Sequence, residues 1–333
     1  MKMPASKVDG QSGNSGPVRS DQLRLFFRKY ATVIGLLLLV IMFEALKPTV
    51  FLTLQNMRNV LVAVASLGVV AAGQTVVFAL NDFDMSQGSV ASMVGIMTGV
   101  MMVNQHLSWP LAVLVGLGIG CAAGAFNGFM VAYVNLAAFI ATLGTMTAFQ
   151  GVALLYYHGN IITGLPSGYL AMGQNNIGPI PYLVIIFAGV SLIAFVVMER
   201  TSLGRRWYAT GGNYDASYLA GLQVRKLRFL AFVVSGAGAA LGGMMLAARL
   251  AQDTPTMGAA LTLNVVAAVF LGMTAFKEGL PNMAGTVVGA LFLGVLINGL
   301  AINYVNSFVQ EIITGGVVIG SVALAGLMKK DRA

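Results

Sequence analysis

The sequence predicts an all-α polytopic membrane protein, with about ten transmembrane helices in two inverted five-helix repeats and both termini cytoplasmic. Three observations carry that expectation: a shortage of charge, apolar runs of bilayer length, and basic residues gathered on one side. Of 333 residues only 9% are charged and 57% are hydrophobic, with a mean hydropathy of +0.83. A soluble surface usually carries roughly 25–35% charged residues, so this chain could not be clothed in water in the usual way. Its 41 glycines suit close helix approach in lipid and would be costly in soluble helices.

The apolar runs lie near residues 30–46, 58–80, 87–104, 109–134, 138–158, 181–198, 229–249, 258–276, 283–303 and 308–328. The first is short for a straight span, but Leu25, Phe26 and Phe27 extend its apolar surface. The second and third are divided by the polar stretch Asn81 to Ser89. The fourth begins at Trp109-Pro110 just after His106, and the fifth ends at Tyr156-Tyr157-His158, both read as interfacial anchors. The sixth follows a segment, 159–180, rich in Gly, Asn and Pro, and the seventh follows the basic segment 199–228.

With the N-terminus cytoplasmic, 16 of the 19 basic residues fall on the inside. The chain then divides into a flexible cytoplasmic tail at 1–29, a membrane domain at 30–328 and a cytoplasmic tail at 329–333. The net charge of +8 does not point to nucleic acid, because the basic residues are confined to a few polar segments between apolar ones. Cys121 is alone and lies in an apolar run, so it makes no intramolecular disulfide. Two histidines, with the cysteine elsewhere, make no metal site. No Gly-rich phosphate loop ending in Gly-Lys-Ser or Gly-Lys-Thr is present, so the chain is expected to hold no ATP of its own.

A weak repeat joins 118–135 to 289–306 at an offset of 171 residues, pairing Asn127-Gly128 with Asn298-Gly299 and Tyr133-Val134-Asn135 with Tyr304-Val305-Asn306. That offset spans an odd number of runs, so the copies would cross the membrane in opposite senses, an arrangement frequent in transporters.

Polar residues at membrane depth are the site candidates. Asp84 stands in the break between two runs, either lining a translocation route at a broken helix or capping the helix that follows. Asn127, Gln150, Asn264 and Asn298 could hydrogen-bond a polyhydroxylated solute or a neighbouring helix. In 199–228, Asn213 is a plausible N-cap, Asp215 lies in the first turn and Gly221 can end a short helix. Ala216 and Ala220 leave room for close docking, and an element this short needs outside contacts to be stable.

These blocks together resemble the permeases of bacterial ABC importers for sugars, in the ribose, xylose and galactoside branch, over about residues 50–328. The resemblance rests on Asp84-Met85-Ser86-Gln87-Gly88-Ser89, on Asn127-Gly128 with Phe139 to Thr145, on Tyr208 to Asn213 with Ala216 and Ala220-Gly221, and on Ala267 to Gly272. It implies a non-catalytic subunit in the inner membrane that forms the path for a small sugar or polyol. It also implies cytoplasmic ATP-binding subunits that dock at Gly212, Asn213, Ala216, Ala220 and Gly221. A periplasmic solute-binding protein and a second permease, identical or related, complete the implied assembly. The chain departs from the pattern at Asn81-Asp82, Ala137-Ala138 and Thr262-Leu263-Asn264, which favours a polyol other than ribose or a permease heterodimer. The competing reading is a secondary transporter driven by an ion gradient, with Asp82, Asp84 or Glu311 carrying the coupling proton.

Overall fold

The computed structural model describes residues 30–277 and 279–330; the expected tail at 1–29 lies outside the described residues, as do residues 331–333. Each apolar run is occupied by one long helix: α1 (Ala31–Leu46), α2 (Leu54–Ala79), α3 (Gln87–Val103), α4 (Trp109–Ala132) and α5 (Ala138–Tyr156), then α7 (Tyr182–Arg200), α10 (Val224–Leu250), α11 (Ala259–Met273), α12 (Met283–Ile302) and α13 (Ser307–Lys330). Among the described residues, α2, α4, α5, α7, α10 and α12 are the 6 helices that are long and apolar enough to cross a membrane.

Two segments hold more structure than their composition suggested. The stretch 159–180 contains α6 (Ser167–Gln174) and a hairpin of β1 (Asn176–Ile177) with β2 (Ile180–Pro181). Its helix is anchored by Tyr169, which is fully buried and donates its hydroxyl to the Met244 carbonyl at 2.7 Å. The basic segment holds two helices, α8 (Ser202–Gly212) and α9 (Tyr214–Leu219), which share Asn213 as the end of one and the cap of the next. Trp207 explains α8: it is buried and its indole donates to the Leu227 carbonyl at 3.1 Å, while Arg205 and Arg206 stay exposed. One end of the bundle therefore carries α8 and α9, and the other carries α6 and the hairpin.

At the centre, α2 is enclosed by other helices, whereas α7 turns Leu192 and Ile193 outward. In a bilayer those side chains meet hydrocarbon rather than water. Helices α4 and α10 cross with their backbones nearly touching: a Cβ on Gly124 would stand 2.2 Å from the Phe232 carbonyl oxygen, and one on Gly236 would stand 2.2 Å from that of Gly120. Small residues at such a crossing replace side-chain interdigitation with direct backbone packing.

Helices α3 and α11 are shorter than their neighbours, and their first turns meet inside the bundle. The Gly88 N–H donates to the Thr262 hydroxyl at 3.1 Å, and the Gly258 N–H donates to the Ser92 hydroxyl at 2.9 Å. The non-helical stretches that lead into them, 80–86 and 251–258, bring Asp84 and Asp253 into the interior. Irregular backbone at such depth needs protein around it, and both stretches have it.

Candidate functional site: the break before α3 and two cavities along α2 and α11

The break starts where α2 stops at Ala79 and Asn81 takes a left-handed conformation, φ 60°. Asp82 is gripped by Arg228 of α10 through two parallel hydrogen bonds, Nε to Oδ2 at 2.7 Å and Nη2 to Oδ1 at 2.8 Å. The same guanidinium donates to the Val131 carbonyl at 3.3 Å and lies over the Tyr214 ring of α9, 6.0 Å from its centre. Bidentate geometry of this kind is among the stronger side-chain contacts in proteins.

Asp84 is buried and serves as the acceptor for three donors. Its Oδ1 accepts the Ser86 backbone N–H at 2.9 Å and the Ser86 hydroxyl at 2.7 Å, and its Oδ2 accepts the Ser235 hydroxyl at 2.6 Å. The chain of donors runs further in both directions. Asn127 donates to Ser86 at 2.8 Å; Gln87 donates to Ser235 and to Gln74, each at 2.7 Å. Gln74 then donates to the Asp84 carbonyl at 3.2 Å. The carboxylate itself ties α10 to the start of α3, and the surrounding network brings in α2 through Gln74 and α4 through Asn127. Asp84 accepts the N–H two residues on, while Ser86 occupies the N-cap position of α3.

Of the other candidates, Asn127 is in this network, and Gln150 donates to the Pro255 carbonyl at 2.7 Å. Asn298 pairs reciprocally with Asn56, amide to amide at 3.0 Å in both directions. Asn264 and Asn298 line one cavity of about 600 Å³ at the α6 end, together with Asn59, Arg249, Gln252 and Thr254. The structure does not bring Asp84 or Asn127 to that cavity.

A second cavity, of about 520 Å³, opens at the α9 end on the same two helices. Its walls include Asp82, Phe83, Tyr208, Phe270 and Lys277. Phe78, Phe83 and Phe270 form an aromatic cluster at this cavity, with ring centres 4.8 Å apart for Phe78–Phe83 and 5.1 Å for Phe78–Phe270. Lys277 and Glu199 form an ion pair at the mouth, and Tyr208 bonds both Glu199 at 3.3 Å and the Pro281 carbonyl at 2.8 Å.

On α9, the Asn213 carboxamide oxygen accepts the Ala216 N–H at 2.9 Å, and Gly221 leaves the helix at φ 81°. Gly212, Asn213, Ala216, Ala220 and Gly221 are all exposed, beside Tyr218 and Leu219 at 66% and 84% exposure. Among the described residues, no three His, Cys, Asp or Glu side chains converge to hold a metal ion. Sequence reasoning missed Arg228 as Asp82's partner; the available signal was an acid at the end of one apolar run and an arginine just ahead of another.

The chain matches the family model described as branched-chain amino acid transport system / permease component over residues 56–322. It is 35% identical over 313 residues to the ribose import permease protein of Bacillus subtilis, covering 92% of this chain and 97% of that one. With the D-allose transport system permease protein of Escherichia coli it shares 31% identity, over 92% of this chain and 94% of the other. With an autoinducer 2 import system permease protein of Salmonella paratyphi B it shares 29%, over 90% and 86%. No solved structure matches this one. The charge-poor apolar helices and the match along most of the length agree: the chain belongs to the permease family of bacterial ABC importers, a family of non-catalytic multi-pass proteins of the inner membrane.

Proposed function

We propose that this chain forms the translocation path of an ATP-driven importer for a small sugar or polyol, while ATP is bound by separate cytoplasmic subunits. The observation that carries the coupling half of this reading is α9, a six-residue helix capped at Asn213 and presenting Tyr218 and Leu219 to its surroundings. A helix so short is not stable alone, and its exposed apolar side chains suit the cleft of a partner. Two cavities on α2 and α11, one lined by carboxamides and the other by aromatic rings, supply hydrogen-bonding and stacking groups for a polyhydroxylated solute.

The finer architecture is ten crossings in two inverted repeats, with α8 and α9 cytoplasmic. Three correspondences support the repeat: α2 and α10 have 26 and 27 residues, α3 and α11 have 17 and 15, and the bonds Gly88–Thr262 and Gly258–Ser92 exchange equivalent residues. The second permease, identical or related, and a periplasmic solute-binding protein complete the complex. The relatives named for ribose and allose favour a monosaccharide as cargo.

The test is copurification. The chain should hold its ATPase subunits, and Ala216→Arg or Ala220→Arg should release them while leaving the melting temperature unchanged. Burying an unpaired charge at a contact is expensive, and about 1.4 kcal/mol already weakens association tenfold. Uptake by the purified chain alone, without ATP and insensitive to both substitutions, would replace this reading with the gradient-driven one.

A further inference from the structure

We infer that Arg228 is a positioning residue that relays movement of α9 to an aromatic gate formed by Phe78, Phe83 and Phe270. The inference rests on the coupling reading above and assigns the path by which it reaches the pore. The two cavities lie on the same helices, and the last α11 residue of one, Asn264, is six positions from Phe270 of the other. Six helical residues rise about 9 Å along α11, and on α2 the nearest wall residues, Leu67 and Phe78, are eleven positions and about 16 Å apart, so the partition between the cavities is about two to three helical turns thick. The three phenyl rings stand at the partition's α9 side, from three different elements: Phe78 from α2, Phe83 from the break and Phe270 from α11.

Phe83 is the movable member, because it alone sits on non-helical backbone. Its neighbour Asp82 is held by Arg228, and Arg228 is held in turn by the Tyr214 ring, which belongs to α9. A displacement of α9 therefore reaches Phe83 through one guanidinium and one carboxylate. A second contact runs in parallel: Gly211, just before α9, lies against the end of α2, where a Cβ would fall 2.0 Å from the Ala79 carbonyl oxygen. That contact acts by pushing, since backbone atoms in contact cannot pull. The Arg228–Asp82 pair can pull, and it is the contact that draws the break back with α9. Ion pairs held by two parallel hydrogen bonds transmit direction as well as attraction.

The test uses the full complex with its ATPase subunits in inside-out vesicles. Cys121→Ser removes the native thiol and Met273→Cys places one in the α9-end cavity, where a hydrophilic maleimide reports access. With Arg228 intact, the labelling rate should change at least fivefold between the nucleotide-free state and the state trapped with ATP and vanadate. With Arg228→Gln, and independently with Asp82→Asn, that change should fall below twofold while the ATPase still copurifies and hydrolyses ATP. Arg228→Lys should restore part of the response. Phe83→Ala should label fast in both states. A full nucleotide response in both Arg228→Gln and Asp82→Asn would overturn the relay, and so would loss of ATPase binding in both. A chain without substitutions that binds no ATPase would remove the coupling reading itself and the relay with it.

Discussion

Ile162 and Asp253 exchange both backbone hydrogen bonds, each N–H donating to the other's carbonyl at 2.9 Å. This single antiparallel bridge stitches the segment before α6 to the connection between α10 and α11. It also carries the Asp253 side chain inward, against Gly95 and Gly99 of α3, where neither carboxyl oxygen finds a donor. Tyr169 of α6 is its titratable neighbour.

A carboxyl group buried with neither oxygen matched to a donor costs stability. Asp253→Asn, which can carry no charge there, should melt at or above the parent, as thermal unfolding in detergent would read; a lower melting temperature would mean that the carboxyl group has a stabilising role.

For Asp84, truncation should be worse than amidation. Asp84→Ala strands the Ser86 N–H and the hydroxyls of Ser86 and Ser235, at about 1–3 kcal/mol for each buried group left without a partner. Asp84→Asn keeps one acceptor oxygen for Ser86 but turns an N–H₂ toward Ser235, whose own proton then loses its acceptor. The expected order of melting temperatures is parent, Asn, Ala. Equal stability of all three would mean that the network does not hold the helices together.

At the α4–α10 crossing, Gly236→Val has no rotamer that avoids the Gly120 carbonyl, since the clash begins at Cβ. The cost should reach about 3 kcal/mol, the upper end for overpacked sites. Gly118→Ala on α4, where an added Cβ would meet nothing within 4 Å, should be neutral by comparison. Folded yield after detergent extraction distinguishes the two.

Side-specific thiol labelling checks the orientation. In a Cys121→Ser background, Asn176→Cys and Asp215→Cys should react from opposite sides of the membrane, the second from the cytoplasm. Both positions are exposed, so access reports sidedness rather than burial. Reaction of both from one side would break the ten-crossing arrangement.

The runs were legible because each is bounded by a change from apolar to polar composition, which is also where the helices stop: the run 109–134 is α4, Trp109–Ala132. Asn213 and Gly221 were legible for a local reason, the chemistry of caps and of positive φ. Helix α6 was hidden because eight residues with two glycines carry no periodicity, and the pull on them comes from Tyr169 reaching Met244, 75 residues away. The same distance problem hid the pairing of Asp82 with Arg228, 146 residues apart. The convergence of Asn264 and Asn298 on one cavity, and the exclusion of Asn127 from it, depend on helix packing that no local pattern encodes.

The backbone contact of α4 with α10 has a mechanical consequence. Where no side chain intervenes, there is no rotamer to change and no layer to slide, so the two helices turn as one piece. Helices α11 and α12 are joined the same way, with a Cβ on Gly285 falling 2.1 Å from the Gly272 carbonyl oxygen. Between α2 and α12 the contact is instead exchangeable, the hydroxyl bond of Thr75 to Thr286 at 2.7 Å. Motion within the bundle is expected at hydroxyl contacts of that kind rather than at the glycine crossings, and Gly88 against Gly258, as tight as either crossing, fastens α3 to the start of α11 in the same way.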